Sequence, residues 1–129
     1  SIASSNAKHV LLIVDSCFSG SLMRGSGYNK SVEKLTQRHL DRLKTKTTRL
    51  VITSGGNEYV ADGIGEAKNS VFAEPLIRAL NNNNDVIRSI ELFQRVQKYV
   101  VENAEQTPNH SAIHGTGHDG GEFLFFPKS

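Results

Sequence analysis

Five consecutive apolar residues, Val10 to Val14, stand out from a polar amino-terminal region, and most of them are β-branched. An unbroken run of this kind reads as a strand buried on both faces, as in parallel sheets. Such a strand needs neighbours, and two further apolar runs can supply them: Leu50–Ser54 (LVITS) and Phe123–Phe126 (FLFF). Between these runs the pattern turns helical. Val32, Leu35, His39, Leu40 and Leu43 keep helical spacing behind Ser31, a candidate N-cap. Phe72, Ala73, Leu76, Ile77 and Leu80 do the same. Pro75 is tolerated only in a first turn, so that helix should begin near Phe72 or Ala73, and the asparagines from Asn81 to Asn84 should end it. Ser89 is suited to cap a third helix whose Ile90, Phe93, Val96 and Val100 form one stripe, with Glu91 in the first turn favourable to the helix dipole. Thr107 to Gly121, rich in Gly and His, reads as a polar connection into a closing strand. The order of strand, helix, strand, helix, helix, strand predicts an α/β fold with helices on both faces of a mostly parallel sheet.

Composition narrows the class. The 129 residues, 37% hydrophobic and 22% charged, suffice for one core, so the chain is one globular domain or a large part of one. A net charge of +2 is too mild to argue for nucleic acid, and no apolar span is long enough to argue for a membrane. The single cysteine cannot close an internal disulfide, and no leader pattern precedes it, which suits a cytoplasmic protein. It also leaves no paired spacing for zinc. Lys34, Arg38, Arg42, Lys44 and Lys46 gather on and around the first helix, where a solvated face is the expected reading in preference to a binding surface.

The candidate chemistry starts at Cys17. It follows the first apolar run and precedes a turn-prone Ser19-Gly20-Ser21, so it falls at the carboxyl end of a strand, where ligands and chemistry gather in open α/β sheets. A thiol titrates near pH 8.5, so catalysis needs a base or an electropositive setting. The competing reading is an inert, buried cysteine. A phosphate-cradling loop ending at Arg24 fits poorly: six residues separate Cys17 from Arg24 where about five are expected, and Asp15 would repel the anion. None of the five histidines is a clear partner by position, since His9 starts the strand, His39 is on a helix, and His110, His114 and His118 are in the late connection. Ser21 to Lys30 reads as a flexible loop, either a lid or a cleavage site. Glu58 and Asp62 follow the LVITS strand, and share an edge with Cys17 if the two strands are parallel.

At Asp15-Ser16-Cys17-Phe18-Ser19-Gly20 the chain resembles the caspase-like cysteine peptidases of family C14, clan CD, and most closely their bacterial metacaspase and orthocaspase branch. Further pieces agree in order: RLVITSG from Arg49 to Gly55, EYVADG from Glu58 to Gly63, NSVFA from Asn69 to Ala73, ELF from Glu91 to Phe93, QTP from Gln106 to Pro108, and GHDGGEF from Gly117 to Phe123. The resemblance implies a caspase-like αβα sandwich and a Cys-His endopeptidase in which Cys17 is the nucleophile and its backbone N–H one oxyanion-hole donor. In caspases the histidine lies about 50 residues upstream of the cysteine. Only sixteen residues precede Cys17, so residues 1–129 are expected to be the carboxyl-terminal portion of the catalytic domain, inactive alone and partnered by the missing amino-terminal part.

Specificity follows from charge. Caspases carry glutamine two residues before the cysteine, where this chain has Asp15, and a carboxylate there favours Arg or Lys before the scissile bond and rejects Asp. Asp62 and Ser54, and less directly Glu58, are the other expected substrate-binding positions. Arg24 and Lys30 would suit self-cleavage. The partner is then a polypeptide with a basic residue at the cut, with no nucleic acid, membrane or cofactor. Calcium activation, known among metacaspases, cannot be assigned, because no acidic cluster has calcium-loop spacing. The non-catalytic alternative is a caspase-like pseudoenzyme or interaction domain.

Overall fold

The first two apolar runs form parallel neighbours. Strand β1 (His9–Val14) pairs with β2 (Thr48–Thr53) over six residues, from His9 opposite Thr48 to Val14 opposite Thr53. The computed structural model that shows this describes residues 2, 4–15, 34–55, 71–103 and 106–127. Every residue of β2 is buried, whereas β1 is half-buried along its length, which corrects the expectation of burial on both its faces. Position in the sheet explains the contrast, for β2 is the middle strand of three, and β1 is an edge among the described residues.

The third strand comes from the stretch read as polar connection. β4 (Asn109–Ala112) runs antiparallel to β2, with Leu50 opposite Ala112 and Thr53 opposite Asn109. Its two buried residues are polar: His110 hydrogen-bonds Ser89, and Ser111 Oγ donates to the Ala112 carbonyl. Ile113, just beyond, is fully buried. The FLFF run does not close this sheet. Its Leu124–Phe125, strand β5, pairs antiparallel with the unanticipated β3 (Ile87–Arg88) as a separate two-stranded ribbon.

Helix α1 (Gln37–Lys44) begins later than expected. Thr36, extended at φ −97° and ψ 162°, is its N-cap and accepts a bond from the His39 N–H, while Ser31 lies outside the described residues. Leu40 and Leu43 are its buried residues, and Lys34, Arg38, Arg42, Lys44 and Lys46 are exposed. Helix α2 (Ala73–Asn81) starts where Pro75 requires and stops in the asparagines. Helix α3 (Ser89–Asn103) carries the expected stripe, and Ile90, Leu92, Phe93, Val96 and Val100 are buried against Ile52, Phe72 and Ile87. Ser89 is not its cap. Glu91 Oε1 instead accepts from the Arg88 backbone N–H at 3.0 Å, the reciprocal half of a capping box, and from Arg88 Nε at 2.8 Å.

Buried Arg49 ties the entry of β1 to β2. Its guanidinium donates to the carbonyls of Lys8, Thr48 and Ala7 at 2.7–2.9 Å, so the segment before β1 is held by a charged fork and not by apolar packing.

Candidate active site

Parallel pairing sets the carboxyl ends of β1 and β2 side by side. The Ser54 N–H donates to the Val14 carbonyl at 3.0 Å, so Asp15 and Ser54 leave the sheet as neighbours. Asp15 is exposed and Ser54 is buried. Gly55 then turns the chain with φ +64°, and the Thr107 carbonyl oxygen occupies the space a Cβ on Gly55 would need. Only glycine satisfies both conditions. Thr107 and Pro108 therefore back directly onto this rim, just before Asn109 pairs with Thr53. Cys17, Arg24, Lys30, Glu58 and Asp62 lie outside the described residues.

The histidines divide by role. His9 is at the amino edge, where its Nε2 donates to the Lys44 carbonyl at 3.1 Å and its Nδ1 accepts from Thr48 Oγ1 at 2.8 Å. His118 Nδ1 accepts from the Arg49 backbone N–H at 3.0 Å. His39 lies partly buried on α1 and His114 is exposed. Each described bond anchors backbone or a neighbouring strand, away from Asp15.

His110 belongs to a cluster that sequence reading missed. Its Nε2 lies 2.9 Å from Ser89 Oγ, and the Ser89 hydroxyl also donates to Glu122 Oε1. With the hydroxyl proton on that bond, His110 carries its own proton on Nε2 and donates to Ser89. The residue types are those of a hydrolytic triad, but the arrangement is not. The serine bridges acid and imidazole, and Ser89 and His110 are closed to solvent. Burial, with the nearby charge of His118 second, lowers the His110 pKa from 6.5 to about 4. Burial also raises the Glu122 pKa, against its hydrogen bonds from Ser89 and Phe123. The cluster is a polar clamp joining the start of α3, β4 and the approach to β5. Its members are 21 and 33 residues from Ser89, so no local pattern announces them.

Among the described residues no group of three or more His, Cys, Asp or Glu is placed to hold a metal ion, and no helix is long and apolar enough to cross a membrane. The family model described as the caspase domain matches residues 2–117, and the chain belongs to that family, the C14 cysteine peptidases. No curated protein and no solved structure matches the chain.

Proposed function

We propose that this chain is the nucleophile-bearing portion of a metacaspase-like cysteine endopeptidase that cleaves after Arg or Lys. Cys17 attacks the scissile carbonyl, and its backbone N–H donates to the developing oxyanion. The general base is a histidine of a preceding segment of the same domain, because each described histidine with a bond is engaged in structure. The observation that carries the specificity is Asp15, an exposed carboxylate at the rim where β1 and β2 end, two residues before Cys17. There it attracts a guanidinium or ammonium group and repels an aspartate. Ser54, beside it, and Asp62 are the other substrate-binding positions in this reading.

The test is a full-length assay with reporter peptides ending in Arg, Lys and Asp, run beside Cys17→Ala. Cleavage of the basic reporters that disappears in Cys17→Ala supports the reading. Equal activity in Cys17→Ala removes the nucleophile from it, and hydrolysis of the Asp reporter alone removes the specificity.

A further inference from the structure

Helix α1 and its flanks carry Lys34, Arg38, Arg42, Lys44 and Lys46 against a single acid, Asp41, and all six residues are exposed. The solvated face expected from the sequence accounts for the exposure but not for the missing counter-charges. A surface that serves solubility alone interleaves both signs, so that cations meet acids three or four positions away along a helix. Here Arg42 follows Arg38 at the four-residue spacing. Asp41 is three positions from both Arg38 and Lys44 yet pairs with neither, and accepts from the Gln37 amide at 2.9 Å instead. Among the described residues no carboxylate lies within 4.0 Å of any of the five cations, and the ion pairs, Glu74–Arg78 and Arg88–Glu91, belong to other elements. Lys44 sets its ammonium 5.4 Å from the centre of the Phe126 ring, and that ring is 57% exposed. The surface thus presents uncompensated positive charge beside an open aromatic.

We propose that this face docks a short, extended acidic segment of another polypeptide, its carboxylates on Arg38, Arg42 and Lys46 and an apolar side chain against Phe126. Charge outside the patch selects the partner. Ten of the fifteen basic residues and twelve of the thirteen acids lie elsewhere, so the remainder of the chain is net −2. A long polyanion laid across the molecule, a nucleic acid or an anionic membrane, meets that opposing charge, whereas a short acidic segment meets only the cations. Dimensions agree: side chains one helical turn apart are about 5–6 Å from each other, close to the ~6.7 Å between alternate residues of an extended chain. Each arginine can hold a carboxylate through two parallel N–H bonds. Lys44 and Lys46 stand where β2 begins, at the sheet edge opposite Asp15, so the proposal is independent of the Arg/Lys reading.

The experiment follows the fluorescence anisotropy of a labelled peptide, four glutamates around one phenylalanine, on full-length Cys17→Ala protein at about 150 mM salt. In that background the double variant Arg38→Gln, Arg42→Gln is expected to weaken binding about tenfold, and Lys46→Gln and Phe126→Ala about threefold each. Exposed substitutions that remove like charges should leave Tm at or above the parent's. Should the double variant fail to fold, Lys46→Gln and Phe126→Ala decide the matter alone. No saturable binding, equal binding of the peptide with glutamine in place of glutamate, or unchanged affinity in the folded variants overturns the proposal. Tighter binding of a thymidine oligonucleotide, or of phosphatidylcholine vesicles with about 30% phosphatidylserine, overturns the polypeptide as partner.

Discussion

Gly55 and Gly115 provide a matched pair for weighing how the candidate site is held. Both have positive φ, +64° and +73°, so an alanine at either one incurs the left-handed backbone penalty, about 1 kcal/mol. Only one of them is crowded. At Gly115 an added Cβ meets nothing within 4 Å, whereas at Gly55 it falls 2.0 Å from the Thr107 carbonyl oxygen and 3.2 Å from the Pro108 nitrogen. Those are backbone atoms of the segment entering β4, so relief requires moving Gln106–Pro108 away from β2, at an overpacking cost of about 1–3 kcal/mol. Gly115→Ala should thus lose about 1 kcal/mol and Gly55→Ala about 2–4 kcal/mol. Urea unfolding read by circular dichroism measures both, with the midpoint shifting at constant m. In the full-length protein Gly55→Ala should also raise KM, since Ser54 adjoins the moved contact. Equal losses for the two variants would refute the close backbone approach at the rim.

Three further outcomes follow from particular contacts. The neutral His110 preferred by the fold means about 3 kcal/mol of stability is lost as pH falls from about 7 toward 4, as the unfolded imidazole takes up its proton first. The raised pKa of Glu122 acts oppositely, removing stability as pH rises above 4.5 through its folded value, so Glu122→Gln should abolish that loss in a urea titration series across pH. Arg49→Met should take the guanidinium donor from the Ala7 carbonyl and one of two donors from the Lys8 carbonyl, which keeps the Thr48 N–H, lower stability by about 1–3 kcal/mol, and speed amide hydrogen exchange of residues 5–8 before that of β2. Incubated full-length protein should yield fragments ending at Arg24 or Lys30 by mass spectrometry and Cys17→Ala should yield none; equal processing in both would assign the cut to another protease.

Continuous runs and helical periods were legible; polar burial was not. Val10–Val14 and Leu50–Thr53 are short, β-branched apolar runs bounded by polar residues, the pattern of strands, and their parallel pairing sets their carboxyl ends side by side. The stripe of α3 and the proline-dictated start of α2 needed only local rules. β4 escaped notice because His110 and Ser111 look like loop residues until Ser89, far along the chain, answers the imidazole. FLFF was read for its hydrophobicity alone, yet only Leu124–Phe125 pairs and Phe126 stays exposed. Asp15 and Ser54 were expected at the carboxyl edge of the sheet, and the pairing of β1 with β2 sets their backbones side by side there.

The central claim is that Asp15 reads a basic side chain for a cysteine peptidase. The most direct measurement is the ratio of kcat/KM for Arg and Asp reporters in the full-length enzyme and in Asp15→Asn. Removing one charge of a desolvated pair should cut the ratio by at least about 100-fold, chiefly through loss of Arg cleavage. A ratio that Asp15→Asn leaves unchanged, in an enzyme that still depends on Cys17, would contradict the account.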